Sequence, residues 1–150
     1  MKATGIVRRI DDLGRIVIPK EIRRTLHIRE SDPLEIFTDR EGQVILKKYS
    51  PIGEMTTFAK QYAESLAQVS GHATLIADRD QFIAVSGGCK QLLNKSVSRQ
   101  LEEKVNNRET VIAAKGDRNY VNIAEDIAVD YAWQLITPII CEGDIIGSVI

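Results

Sequence analysis

The chain has 150 residues, a mass of 16.8 kDa and a formal net charge of −1 at pH 7. Its 43% apolar and 27% charged residues are typical of a globular protein and exclude a disordered or fibrous chain. No apolar run is long enough to span a membrane and the first residues lack a signal-peptide core, so we expect a cytoplasmic protein without a membrane partner. The two cysteines, Cys89 and Cys141, are too few for a disulfide framework or a zinc cluster.

The charge is distributed unevenly along the chain. Residues 1–29 carry a net charge of +5, residues 1–50 a net charge of +3, and residues 51–150 a net charge of −4. A basic N-terminal part joined to an acidic C-terminal part indicates two functions on one chain. From charge alone, a surface for an anionic partner and a merely solvated basic face are about equally good explanations.

The first 50 residues predict two β-hairpins on either side of a short helix. Strands at Thr4–Ile10 and Arg15–Ile18 flank the turn residues Asp-Asp-Leu-Gly, and a helix at Lys20–Ile28 follows a proline. A second pair of strands is predicted at Leu34–Thr38 and Val44–Lys48. A piece this small buries too little apolar surface to be stable alone, so we expect it to associate with a second copy.

Ser50-Pro51-Ile52-Gly53 marks the expected boundary between the two parts. A helix from about Glu54 to Ser70, ended by Gly71, follows it. Several of its apolar residues are spaced by seven, namely Met55, Tyr62 and Val69. That spacing fits a seam between two copies and equally a helix lying on its own sheet.

The rest of the chain predicts an antiparallel α+β sheet. The order is two strands, a helix and three strands, at residues 73–78, 81–86, 90–108, 111–114, 133–140 and 145–150. The last strand is apolar up to the final residue, so we expect further residues after Ile150.

Arginines near the N-terminus are the strongest functional signal. Arg8 and Arg15 lie on opposite arms of the first predicted hairpin, and Arg23 and Arg24 lie on the helix that follows. The forked guanidinium group matches phosphate oxygens and guanine edges. A two-fold dimer would present two such patches to a DNA duplex.

The segment GIVRRIDDLGRIVIPKEIRRTL, and with it essentially all of residues 1–50, resembles the AbrB-type swapped-hairpin DNA-binding domain. Past Pro51 the chain is similar to sporulation transcription regulators with this domain, through LKKYSPI at 46–52 and IAVSGG at 83–88. The resemblance implies an α+β fold: a swapped-hairpin β-barrel dimer (β-β-α-β-β), then a GAF-like antiparallel α+β sheet domain. The implied boundaries are 1–50 for the DNA-binding domain, 51–71 for a linker and connecting helix, and 72–150 for an incomplete GAF-like sensor domain.

The resemblance implies that the protein is a sequence-specific transcription regulator. A regulator of this kind is not expected to be an enzyme. The implied partners are double-stranded DNA and a second copy in a homodimer, with a homotetramer as the larger assembly. The DNA-binding residues carried over are Arg8, Arg15, Arg23 and Arg24, with Arg9 and Lys20 as weaker candidates. The GAF-like domain would sense an unidentified small-molecule effector or assemble protomers, and no cofactor, metal or catalytic residue is expected.

Two other functions remain open from the residues. One is an antitoxin with the same DNA-binding domain, although such proteins usually carry a short disordered tail where this chain is ordinarily apolar. The other is a GAF-like thiol enzyme using Cys89 or Cys141. Neither cysteine has a nearby histidine or a CxxC partner in the sequence, which favours a small buried hydrophobic role.

Overall fold

The computed structural model describes residues 5–150, apart from the side chains of Gly53 and Glu54. The chain divides into two compact units, Met1–Tyr49, which we call the head, and Ser50–Ile150, which we call the body. The head contains one short helix and one β-hairpin, and the body contains a five-stranded sheet with helices on it. This arrangement confirms the predicted fold class, a hairpin-containing N-terminal unit followed by an α+β unit.

The regular elements of the head are a helix and two paired strands. Helix α1 spans Lys20–Thr25 and begins directly after Pro19, whose carbonyl accepts the Arg23 N–H at 3.0 Å. It is shorter than predicted because the chain takes a left-handed conformation at His27, with φ of 51°. Strands β1, Leu34–Thr38, and β2, Val44–Lys48, pair antiparallel with the predicted bounds.

A lysine connects the end of α1 to the hairpin. Lys48 Nζ on β2 donates to the His27 carbonyl at 2.8 Å and lies 3.6 Å from Asp32 Oδ2. The Asp32 side chain is only 3% exposed, and it also accepts the Arg29 N–H at 2.8 Å. These contacts hold α1 in a defined position relative to β1 and β2.

The first predicted pair of strands does not form in the described chain. A turn closes at Asp11–Gly14, with the Asp11 N–H donating to the Arg15 carbonyl at 3.0 Å, yet residues 5–10 and 15–18 are not strands. Thr4, the start of the predicted strand, lies outside the described residues. The physical reason is a missing packing surface: Val7 is 88% exposed, and a two-stranded ribbon without a core beneath it is marginal in water.

The helix predicted at residues 54–70 forms with a start two residues later than predicted, and a separate short helix precedes it. Helix α2 spans Pro51–Glu54 and helix α3 spans Thr56–Ser70, with Met55 between them donating its N–H to the Ile52 carbonyl. Gly53, a poor helix former, lies in the first of these helices. The C-terminal end is as predicted, because Gly71 adopts the left-handed conformation that ends a helix.

The body sheet contains five antiparallel strands in the order β4-β3-β7-β6-β5. Their bounds are β3 Thr74–Ala77, β4 Phe82–Ser86, β5 Val111–Ala114, β6 Trp133–Cys141 and β7 Asp144–Val149. All five strands coincide with predicted ones to within a residue or two. The last hairpin turns at Glu142 and Gly143, as the sequence predicts.

The predicted helix at residues 90–108 is wrong in its middle. A 3₁₀ turn at Lys90–Leu92 and helix α4, Arg99–Asn106, are separated by non-helical residues. In that gap, Asn94 donates its N–H to the Phe82 carbonyl and Val97 forms an isolated bridge with Ala124. The backbone bonds to neighbouring segments instead of to itself, and α4 starts only where the Ser98 side chain accepts the Leu101 N–H.

Apolar residues cover both faces of the body sheet. One cluster packs Leu101 and Val105 of α4 against strand residues that include Leu75, Phe82 and Ile136. The cluster on the opposite face is formed by residues of α2, α3 and the strands: Ile52, Ala59, Ala63, Ile76, Ile83 and Ala84. The body therefore has the buried core of an ordinary small domain. Among the described residues, no helix is both long and apolar enough to cross a membrane.

Gly147 on β7 lies where no side chain fits, which makes its substitution a sensitive test of this packing. A Cβ atom there would lie 2.2 Å from the Ala77 carbonyl oxygen and 3.0 Å from Ile52 Cδ1. We expect Gly147→Ala to lower the free energy of unfolding of the body by about 3 kcal/mol or more. Urea unfolding followed by circular dichroism and by the fluorescence of the single tryptophan, Trp133, measures this change.

Gly143→Ala is the matched control in the same hairpin. Gly143 has φ of 90° but open space around it, so alanine there costs about 1 kcal/mol of backbone strain and no clash. Equal losses in the two variants would contradict the predicted close approach of β7 to β3.

Candidate nucleic-acid interface

All six basic residues predicted to bind DNA are exposed on the head. Arg8 and Arg9 precede the turn at Asp11–Gly14, Arg15 follows it directly, and the other three lie on α1: Lys20, Arg23 and Arg24. For four of them the structure contains no side-chain hydrogen bond or ion pair within residues 5–150: Arg8, Arg9, Lys20 and Arg24. These four cationic groups are open to solvent and to an anionic ligand.

Arg15 is held at the turn by Asp11. One carboxylate oxygen, Asp11 Oδ1, accepts the backbone N–H groups of Leu13 and Arg15 at 3.0 and 2.8 Å, which closes the turn. The other oxygen, Oδ2, accepts the Arg15 Nε–H at 2.8 Å. Hydrogen bonds from the Arg15 backbone and side chain lower the pKa of Asp11 below its ordinary value, so the carboxylate is ionised at neutral pH.

Arg23 is held in a similar way from α1. Its Nε–H donates to the Ile18 carbonyl at 3.2 Å, which connects the helix to the chain segment that follows the first turn. In both Arg15 and Arg23 the inner nitrogen is occupied, whereas the two terminal nitrogens of each guanidinium have no protein partner in the described part of the chain. Those terminal nitrogens are the pair that binds a phosphate or a guanine edge bidentately.

Two charged residues of the head have structural contacts that the sequence did not reveal. Lys48 counts toward the basic balance of the head, but its ammonium group is engaged with His27 and Asp32. Asp11 was interpreted only as a turn residue, whereas its carboxylate also contacts Arg15. A carboxylate four residues before an arginine is a detectable signal, but it is frequent in sequences and not specific.

The head has almost no core of its own. Among residues 5–49 the only buried residue is Pro19, and none of the Val, Ile, Leu, Phe or Tyr side chains of this range is buried. The exposed large apolar side chains are Ile6, Val7, Ile10, Leu13, Ile16, Val17, Leu26, Ile36, Phe37, Val44, Leu46 and Tyr49. So much exposed apolar surface on about 45 residues is a strong indication of an interface.

Helix α3 of the body has a second exposed apolar surface. Its buried residues are all alanines, Ala59, Ala63 and Ala67, which allow the helix to lie close to its own sheet. Its large apolar residues are exposed, as is Met55 directly before it, and we call this set the α3 stripe: Met55, Phe58, Tyr62, Leu66 and Val69. At 3.6 residues per turn these five positions fall within about 80° of one another on the helix surface.

The two thiols of the body have different surroundings. Cys89 is half-buried and its Sγ contacts the Tyr131 hydroxyl, whereas Cys141 is exposed. Burial and the contact with Cys89 raise the pKa of Tyr131. Within the described residues neither thiol is hydrogen-bonded to a histidine, and no group of three His, Cys, Asp or Glu side chains is arranged to hold a metal ion.

A shallow cleft of the body, with a cavity volume of about 10 Å³, lies between α4 and the turn after β3. Its lining includes Asp78, Leu101 and Ser148. That volume is about the space that one water molecule needs and is far smaller than a ligand pocket. The cleft therefore gives no support to an effector site.

The family of the stage V sporulation protein T C-terminal region, described as a transcription factor, matches residues 54–150. The family of the MazE antitoxin, described as antidote-toxin recognition, matches residues 7–54. Solved structures of the N-terminal domain of the transcription factor AbrB align with 34% of this chain at 65% identity. Two of them have TM-scores of 0.31 and 0.29 and are covered over 96% and 94% of their own lengths.

Two relatives from Bacillus subtilis (strain 168) align with most of the chain. Stage V sporulation protein T is 57% identical over 151 residues, covering 100% of this chain and 84% of the relative. The transition state regulatory protein AbrB is 43% identical over 108 residues, covering 72% of this chain and 93% of the relative. Because the C-terminal match spans more than half of the chain and the first relative aligns along all of it, the chain belongs to the stage V sporulation protein T family of DNA-binding sporulation transcription regulators.

Proposed function

We propose that the head binds double-stranded DNA in the cytoplasm through six basic residues and that it does so as a homodimer. The residues are Arg8, Arg9, Arg15, Lys20, Arg23 and Arg24. The single observation that carries this proposal is their arrangement: all are exposed on one small unit, and the terminal nitrogens of the guanidinium groups point to no protein partner within the described chain. The domain boundaries at 1–50, 51–71 and 72–150 are part of the same proposal.

A dimer follows from the missing core of the head. The large apolar side chains of residues 5–49 are at most partly buried in one chain, so a stable fold requires apolar surface from elsewhere. A second head offers the same surface, and two extended segments that find no strand partner in one chain can pair between chains. Dimerisation also doubles the net charge of residues 1–29 from +5 to +10.

The α3 stripe supports a larger assembly, for which a homotetramer is the proposed form. Since the alanines of α3 already pack on the body's own sheet, the exposed Phe58 and Leu66 are available to a second copy. Burial of one such side chain contributes about 1.5–3 kcal/mol, so a few of them suffice for a stable contact. Effector sensing by a GAF-like body stays a prediction.

The antitoxin function is a second candidate because the MazE antitoxin family matches residues 7–54. The body distinguishes the two functions. Its residues form a packed five-stranded sheet and match the transcription-factor family, which favours regulation over toxin capture by a disordered tail. The thiol-enzyme alternative has no comparable support, since Cys89 contacts a tyrosine rather than a base.

The double variant Arg23→Ala/Arg24→Ala tests the DNA-binding residues. In fluorescence anisotropy titrations of a labelled AT-rich duplex over a salt series, we expect at least a tenfold loss of affinity. Each arginine on a phosphate contributes about 0.9 to the slope of log K against log salt. A dimer lacking four such arginines should therefore show a slope shallower by about 3 to 4.

The control for this experiment removes the same charge elsewhere. Arg99 and Arg118 are exposed on the body, and Arg99→Ala/Arg118→Ala should leave affinity and slope nearly unchanged. Loss of binding in both double variants would indicate a general charge effect. Full binding by Arg23→Ala/Arg24→Ala, with the oligomeric mass unchanged, would exclude α1 from the interface.

The double variant Phe58→Ser/Leu66→Ser tests the α3 stripe. We expect the mass in sedimentation equilibrium to fall to half the wild-type value, because two large apolar side chains per protomer leave the proposed contact. Lys60→Ser/Glu64→Ser is the control, since this exposed pair lies on another side of α3 and its removal leaves the net charge unchanged. An unchanged mass for Phe58→Ser/Leu66→Ser would show that the stripe is not an interface.

A further inference from the structure

Two tight turns of the head, at Asp11–Gly14 and at Asp39–Gly42, use the same aspartate chemistry. In each, an aspartate Oδ1 accepts the N–H groups of the residues two and four further on, at 3.0 and 2.8 Å for Asp11 and at 2.9 and 2.8 Å for Asp39. In each, the aspartate N–H donates to the carbonyl four residues on, at 3.0 and 3.2 Å. The glycines, Gly14 and Gly42, have positive φ of 75° and 80°. The turns are therefore close copies in hydrogen bonding.

The turns differ in what the second carboxylate oxygen does. Asp11 Oδ2 accepts the Nε–H of Arg15, the residue four further on. The equivalent residue of the second turn is Gln43, and its amide donates instead to Glu41 Oε2 at 2.8 Å. Because the second turn closes through Oδ1 alone, the Oδ2 contact of the first turn is not needed to form a turn. The Oδ2 contact instead restrains the side chain of Arg15.

We propose that Asp11 is a positioning residue, which holds the guanidinium group of Arg15 in the orientation that contacts DNA; this inference rests on the proposed function of the head. The Arg15 side chain is 69% exposed, so its two terminal nitrogens stay accessible while Nε is occupied. A side chain already held in place loses less conformational freedom on binding. Arg23, held through Nε by the Ile18 carbonyl, shows the same arrangement on α1.

Because Asp11 is negatively charged, the direction in which its removal changes the DNA affinity tests the inference. An acidic group on a surface that binds a polyanion repels the ligand, so removing its charge should tighten binding if charge alone matters. Positioning predicts the opposite, because an arginine released from Asp11 must be ordered during binding. The two explanations therefore give changes of affinity in opposite directions.

The test uses Asp11→Asn in the full chain with a labelled AT-rich duplex. Asparagine keeps an Oδ1 acceptor for the turn, but its amide nitrogen donates and cannot accept the Arg15 Nε–H. We expect affinity to fall by about 2- to 10-fold, the range for ordering one long side chain. The slope of log K against log salt should stay equal or become steeper, because Arg15 remains charged. If the variant instead lost phosphate contacts through a structural defect, the slope would become shallower.

Two variants with the same charge change serve as controls. Asp12→Asn removes a neighbouring carboxylate that has no arginine contact within the described residues, and Asp39→Asn removes the charge from the equivalent turn. Neither should weaken binding. In the background of Arg15→Ala, Asp11→Asn should cause no further loss, because the group that it positions is absent. Thermal melting and oligomeric mass confirm that each variant is folded.

Four results overturn the inference. Asp11→Asn binding as tightly as Asp12→Asn, or an undiminished loss in the Arg15→Ala background, shows that Asp11 does not act through Arg15. If Asp11→Asn fails to fold, Arg15→Lys is tested instead. This variant keeps the positive charge and the turn but lacks the guanidinium group that Asp11 holds through Nε. Wild-type affinity of Arg15→Lys would refute the positioning role of Asp11. If Arg15→Ala binds DNA with wild-type affinity while Arg23→Ala/Arg24→Ala loses binding, the positioning role of Asp11 is refuted but the proposed DNA interface is not. If that double variant also binds normally, the proposed interface fails with it.

Discussion

The head carries apolar side chains that its own chain does not cover. This shortage of covering surface governs both the strand content of the head and its proposed association with a second copy. Its first segments are rich in the β-branched residues typical of strands, yet Val7, Ile16 and Val17 remain exposed in the single chain. The same shortage explains why residues 5–10 and 15–18 are not strands: strand pairing without a core beneath it gains little free energy. In the proposed dimer, a second chain would supply that core together with a second set of arginines.

Much of the fold could be predicted from the sequence wherever local signals and packing agree. Strands β1 and β2 have the predicted bounds because Asp-Pro and Asp-Arg-Glu-Gly define the turns on either side. Gly71 ends α3 for the same local reason. Prediction failed at residues 93–98, where the backbone bonds to the distant Phe82 and Ala124. An apolar spacing that suits a helix is also satisfied there by a 3₁₀ turn, a loop and a shorter helix.

The candidate site was predictable in composition but not in geometry. Arginine in this density indicates a phosphate-binding surface, and all six predicted residues are exposed. What the sequence could not show is that Arg15 and Arg23 are held through Nε, since this depends on the position of an Asp11 oxygen and of the Ile18 carbonyl. Both Asp-x-x-Gly turns can be recognised in the sequence. Only the structure shows that Asp11 Oδ1 closes the turn while Oδ2 holds Arg15.

Helix α3 has one face of small residues and one face of large residues, and the two faces contribute differently to the body and to the proposed assembly. Alanines on the sheet side contribute little apolar area each, so α3 adds modestly to the body's stability, whereas most of its apolar area faces outward. If that area joins two dimers, binding of one head pair to DNA makes binding of the other intramolecular, and affinity rises through effective concentration without any new DNA contact. An effector would then need only to favour one association state over the other, because a ligand can shift an equilibrium by no more than its difference in affinity for the two states.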